Sequence, residues 1–373
     1  MSELLVNTIK KADGTGNLSV PAETGTVVTT ASPSLGRRNL IINGAMQVAQ
    51  RGTSATGVTT TDGYYACDRW TSQTDTGTWT LSQSTDAPSG FAYSFKMDCT
   101  SAGTSNADEI SLRTRLEGQD LQSLAYGTSD AKAITLSFWV KSNQTGTYSV
   151  VFYNQNTTQE RSVSASYTIN AADTWEYKTA TIAGDTSYNF NNSNTRDFQL
   201  IFYFGAASGF TSGTYNTSAW QNADATNWVT SDIPGLGGST NDYVAITGVQ
   251  LEVGSVATPF EHRSYGEELA ACQRYYEVFI SNDNNRPLAN YFSSASANLW
   301  IPFRTLKRSS PTVSSTLGSI FNGGWTSMTE ISATPSGSTG DLEGTSFVVS
   351  SSGGSAGYGG FCRNFTATFD SEL

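Results

Sequence analysis

A chain of 373 residues with 14% charged and 12% aromatic side chains is rich in Ser, Thr, Asn and Gly and poor in strong helix formers. The net charge of −11 argues against a nucleic-acid binder, because the 21 Lys and Arg residues are scattered rather than clustered. No apolar run is long enough to span a membrane, and Met1 to Gly16 carries Lys10 and Lys11 but no apolar core of a signal peptide.

Length predicts two domains plus a tail, and composition predicts an all-β chain. Residues 1–38 read as an extended segment with Leu4, Val6 and Ile9 as regular apolar teeth, suited to docking on another subunit by strand addition. Residues 39–264 hold most strand candidates: 79–82, 93–97, 134–140, 148–153, 175–182, 198–204 and 243–253. Several alternate with period two, which places one face in a core and one in water and predicts an antiparallel β-sandwich. Residues 265–280 predict a helical connector, with Leu269, Cys272, Tyr276 and Phe279 at helical spacing and Glu267 and Glu268 near its start. Residues 281–373 return to strands and predict a smaller C-terminal β domain with a thin core, Ser336–Gly340 being read as turn. Cys67, Cys99, Cys272 and Cys362 match no zinc or redox spacing and are expected as small buried thiols.

Three stretches carry a family likeness: Asn39-Leu-Ile-Ile-Asn43-Gly44-Ala-Met-Gln-Val-Ala-Gln50-Arg51-Gly52 with Tyr65-Ala-Cys67-Asp68-Arg69-Trp70; Gly248-Val-Gln250-Leu-Glu252-Val-Gly254 with Ala257-Thr-Pro-Phe-Glu261; and Leu269-Ala-Ala-Cys272-Gln-Arg274-Tyr275-Tyr276. In this order they resemble bacteriophage tail-fibre and related virion proteins. The resemblance implies a jelly-roll sandwich similar to carbohydrate-binding modules, a distal domain, and a virion appendage that is usually a homotrimer. It also implies that 1–38 attaches to other tail or virion proteins, and that the chain is made in the host cytoplasm. The expected function is a tail fibre that attaches to the host surface by binding glycan. The alternatives are a head fibre or capsid decoration without a receptor, and a capsule-degrading tail enzyme.

For catalysis the sequence offers little. His262 is the single histidine, and adjacent carboxylates such as Asp108-Glu109 and Glu267-Glu268 diverge on a strand or helix. Asp173, Glu176 and Asp185 flank one strand and are open to a solvated role. No phosphate-binding glycine loop is present. The chain is therefore expected to be no enzyme. The stretch between strands 198–204 and 243–253 interleaves aromatic and polar residues, and Tyr215, Trp220, Trp228, Asn222 and Asp224 are its candidates for glycan binding. The competing reading is that Trp220 and Trp228 pin a long connection to the sheet. Asp98, Asp242 and Glu252 are candidate oxygen ligands for a structural calcium ion, without a defined calcium spacing.

Overall fold

The computed structural model describes residues 9–10, 17–18, 37–59, 62–103, 109–156, 158–217, 219–282, 287–293, 296–316, 318–324, 327–340, 342–350, 356–357 and 359–373. Contacts divide the chain into Met1–Leu35 and Gly36–Leu373. In the first unit Ile9–Lys10 pairs antiparallel with Asn17–Leu18; Leu4 and Val6 lie outside the described residues.

Among the described residues of the second unit, two antiparallel sheets stack as a jelly-roll-like sandwich. One has seven strands in the order Gln221–Asn222, Glu160–Ile169, Gly146–Gln155, Arg196–Ala206, Glu109–Glu117, Thr71–Thr74 and Gly63–Tyr64. The other has six, in the order Glu176–Ile182, Ile134–Ser142, Tyr243–Val253, Ser94–Ser101, Thr78–Ser84 and Ser54–Val58. Their inner faces share one core, in which Phe138 meets both Tyr167 and Phe202 edge-on at 5.0 Å. Such tilted pairs add about 0.5–1.5 kcal/mol to area burial.

The period-two expectation fails at the middle of the seven-stranded sheet. Ser149 to Asn154 and Asp197 to Gly205 are buried on both faces, because the segment after Ala206 folds back over the outer one. Val151, Tyr153, Ile201 and Tyr203 lie under Phe210, Trp228 and Val229 there, with Trp228 at 5.0 Å from the Tyr153 ring. The apolar run Phe198-Gln-Leu-Ile-Phe-Tyr-Phe204 already carries that doubly buried signature.

The helix spans Tyr265–Gln273 and opens with a capping box in which Ser264 and Glu267 bond each other's backbone N–H groups. It is shorter than expected. Tyr276–Ile280 is a strand paired with Thr366–Asp370, since the β-prone Tyr-Glu-Val-Phe-Ile gains a ladder partner that an isolated helix turn lacks. Thr312–Ser315 completes that three-stranded sheet. Beside it, Leu288–Tyr291, Ser296–Pro302, Gly344–Ser350, Ser327–Gly340, Gly318–Gly324 and Gly359–Arg363 close a six-stranded barrel. Ser336–Gly340, expected as turn, runs within a strand whose register slips between Pro335 and Ser338. Proline has no N–H to give to a ladder, so such a slip is where it is tolerated.

A buried polar joint ties sandwich, helix and C-terminal strands together, and the likeness-bearing stretches build most of it. Arg69, 1% exposed, lies 3.4 Å over the Tyr275 ring, pairs with Glu372 and donates to the Arg115 carbonyl. Glu117, fully buried, accepts two bonds of 2.8 Å from Arg274 and one of 2.6 Å from the Tyr275 hydroxyl. Arg51 sits 3.5 Å over the Tyr276 ring and reaches Asp370 at 3.0 Å. Asn43 holds Val48 and Asp68 by their carbonyls and receives the backbone of Val48 on its own oxygen. At Gly44 any Cβ would lie 2.1 Å from the Val249 carbonyl oxygen, so only glycine allows this approach. The second stretch joins through Asn39, whose side chain bonds both Val249 and Leu251.

Burial lifts Asp68 from 3.8 to about 6, with Gln50 and Arg51 opposing the rise and Glu372 adding to it. The folded state therefore holds this proton more tightly than the unfolded chain. Its contribution to stability is complete below pH 3.8 and is lost as pH rises through about 6. At about 1.4 kcal/mol per pH unit, Asp68→Asn is expected to remove about 3 kcal/mol of that decline. Urea unfolding of both proteins across this range measures the difference in slope.

Candidate functional site

Where the strand Glu160–Ile169 meets the two-residue edge strand Gln221–Asn222 lies a groove of about 200 Å³, lined by Arg161, Thr181, Gly184, Asp185, Thr217 and Trp220 among others. Trp220 is half-buried. Its indole N–H donates to the Ala183 carbonyl at 2.7 Å, and its ring meets Tyr126 edge-on at 5.9 Å. Those contacts fix the ring while the indole lines the groove.

Arg161 is held from three sides. It donates to the Asp185 carboxylate at 2.7 Å, to the Trp220 carbonyl at 2.8 Å and to the Asn222 side chain at 3.4 Å. Asp185 is itself buried and accepts the Ser187 N–H at 3.0 Å. A guanidinium, a carboxylate and threonine hydroxyls thus surround an aromatic ring whose position is set before any ligand arrives. Such a set can stack one face of a pyranose and bond its hydroxyls.

The other residues singled out in the sequence lie elsewhere. Trp228 belongs to the cap over the outer sheet face, where its indole donates to Ser162 at 2.9 Å. Tyr215 accepts from Ser149 at 3.2 Å, and burial raises its phenol. Asp224 caps the short turn Ala225–Asn227, accepting from Thr226 N–H at 3.0 Å and from its hydroxyl at 2.7 Å. Of the five aromatic and polar candidates, only Trp220 lines the groove, and Asn222 touches it through the 3.4 Å bond it accepts from Arg161. Arg161 was missed because its strand, Glu160-Arg-Ser-Val-Ser-Ala-Ser-Tyr, is built from small residues, although the Val163, Ala165, Tyr167 alternation was there to be read. Asp185, open to a solvated role in the sequence, is 1% exposed and ion-paired.

The calcium expectation is corrected. Asp242 and Glu252 sit at opposite ends of the strand Tyr243–Val253, roughly 33 Å apart at 3.3 Å per residue. Asp242 accepts from Gln144, Gly237 and Ser239, Glu252 from Thr258 and Gln250, and Asp98 pairs with Lys96 at 3.1 Å. Among the described residues no group of three or more His, Cys, Asp or Glu could hold a metal ion. His262 lines a separate cleft of about 490 Å³ with Arg37, Asp120, Glu261, Arg263 and Glu267, its ring 4.9 Å from Phe260 and 5.3 Å from Phe91. All four cysteines are free and buried.

The fold and its groove define an all-β sandwich protein with a C-terminal barrel. No family model matches the sequence, and no curated protein matches it. Among solved structures, the enzymatically active domain of bacteriophage CBA120 tailspike protein 4 is 13% identical over 58% of this chain and 21% of its own length, with a TM-score of 0.32. This chain therefore matches about a fifth of that one. A tandem of carbohydrate-binding modules from Paenibacillus barcinonensis Xyn10C is 10% identical over 91% of this chain and 98% of its own, with a TM-score of 0.29. The family 11 carbohydrate-binding module of Clostridium thermocellum, solved with a mixed-linked tetrasaccharide, is 8% identical over 55% and 98%, with a TM-score of 0.26. At these identities and TM-scores the likeness carries no conclusion about ligand or activity.

Proposed function

We propose that this chain is a non-catalytic structural subunit of a bacteriophage tail fibre, which attaches the particle to a bacterial surface by binding glycan in the groove at Trp220. The observation that carries the glycan reading is the fixed indole beside Arg161, Asp185 and the threonines. The phage reading rests on the three likeness-bearing stretches, which meet in the buried joint rather than in the groove. Residues 1–38 are proposed to anchor the fibre to other virion proteins. A homotrimer is proposed through the barrel, where Leu288 and Trp300, each next to the paired Ala289 and Leu299 on adjacent strands, are 77% and 49% exposed.

Trp220→Ala is expected to weaken binding of host surface oligosaccharide by about 2 kcal/mol, roughly thirtyfold in Kd, as for loss of a buried aromatic anchor. Titration of both proteins with polysaccharide fragments from the host measures it, with circular dichroism confirming the fold. Equal affinities would sink the groove. Gold-labelled antibody on intact particles separates tail from head, and release of new reducing ends from the polysaccharide would overturn the non-catalytic reading.

A further inference from the structure

A further hollow, of about 380 Å³, is lined by Gln155, Asn156, Asn191, Thr195, Arg196 and Arg308. Asp197 and Leu373 complete the wall, and the Leu373 carbonyl oxygen accepts from Arg115. Its two guanidiniums are unusual in a chain with a net charge of −11, because among the described residues neither forms an ion pair. Arg196 donates only to the side-chain oxygen of Gln155. Arg308 donates to three carbonyl oxygens, those of Ser371 at 2.8 Å and of Asn194 and Glu372 at 3.0 Å. The acids whose charge reaches Arg308 are engaged elsewhere, Glu117 by Arg274 and Glu372 by Arg69 and Arg51. Asp197, also in the wall, turns its carboxylate to the Asn191 N–H and the Thr195 hydroxyl. Arg115 and Arg113 stand close enough that their charges further disfavour the proton on Arg196, beyond the effect of its burial.

Half-buried guanidiniums with unused N–H groups and, among the described residues, no ion-paired carboxylate make a forked donor site matched to a planar or tetrahedral oxyanion. Asn156, Asn191 and Thr195 add neutral polar groups around it. We infer that this hollow binds an anionic group, a carboxylate or a phosphate, carried by a surface polymer. It is a site separate from the groove and does not depend on the groove's taking glycan.

Arg196 is the residue to test, since Arg308 also holds the backbone of the joint. A hexasaccharide of alternating glucuronate and N-acetylglucosamine, glycerol phosphate and uncharged cellohexaose serve as probes against the full chain. The expected result is that the uronate or the phosphate probe binds, that binding falls with added salt, and that cellohexaose does not bind at this hollow. Arg196→Gln is expected to weaken binding by roughly tenfold or more, with Arg196→Lys recovering part of the loss. Which anionic probe binds tells a uronate from a phosphate source. Binding of neither anion, or anion binding that Arg196→Gln leaves unchanged, would overturn the inference. Loss of the same binding in Trp220→Ala would assign it to the groove instead. Binding kept in Trp220→Ala but lost in Arg196→Gln supports the hollow even if the groove takes no glycan.

Discussion

Arg69→Met is expected to destabilise the fold by about 3–5 kcal/mol, the range for breaking a buried ion pair from one side. The guanidinium is enclosed by Glu372, the Arg115 carbonyl and the Tyr275 ring. Methionine fills much of the volume and keeps none of the donors. Glu372, 6% exposed at its side chain, would retain only Arg51 at 3.4 Å, which holds the cost toward the lower end. Arg69 also occupies the left-handed region with φ at 72°, so an unbranched replacement avoids added backbone strain. Chemical denaturation followed by tryptophan fluorescence reads the loss, since Trp70 is fully buried beside it. A cost under about 1 kcal/mol would mean that the joint is held by packing and not by its charges.

The second large effect lies across the joint, at Lys307 and Glu277. The lysine side chain is wholly buried and its ammonium donates to Glu277 at 2.6 Å and to the Gln273 carbonyl. Burial pulls its proton affinity down, and Glu277 pulls it back up. Lys307→Met leaves Glu277, 2% exposed at its side chain, with only the Arg304 backbone N–H at 3.2 Å and the exposed Arg304 guanidinium at 4.0 Å among the described residues, and is expected to cost about 3 kcal/mol, the lower end of the range for breaking a buried pair. Glu277→Gln leaves the ammonium with a neutral acceptor and is expected to cost a similar amount. The double variant should cost less than either alone, because replacing both buried charges removes the unpaired one. Additive losses in the double-mutant cycle would show that the two side chains act independently.

The strands legible in the sequence were those with large apolar residues at period two, such as Trp79–Ser82 and Tyr243–Val253. Glu109–Glu117 escaped because its outward face carries Glu109, Arg113 and Arg115, charges met by the Arg113–Glu109 pair and, for Arg115, by Asp62 before the neighbouring strands. The helix boundary was misplaced because Tyr276 and Phe279 fit a helical spacing as well as a strand, and only the distant partner at Thr366–Asp370 decides. At the groove, the tryptophan was visible as a loop aromatic, yet its neighbours Arg161 and Asp185 come from segments far apart in the chain. Nothing in their local patterns announces that meeting. The stretches with a family likeness turned out to hold the architecture, so they were better guides to the fold than to the ligand.

The sandwich also has a property that bears on crowding. Three devices blunt the four outermost strands. The seven-stranded sheet ends on both sides in strands of two residues, Gln221–Asn222 and Gly63–Tyr64, too short to template a neighbour. On the six-stranded sheet, Ser54–Val58 loses register between Ala55 and Val58, where Gly57 has a positive φ of 70°. At the other side Glu176–Ile182 presents Glu176 and Lys178, paired at 2.6 Å. Irregular, charged or very short edges resist edge-to-edge pairing between molecules. Many copies held side by side can therefore sit at high local concentration without zipping their sheets into aggregates, and association is left to the surfaces that side chains define.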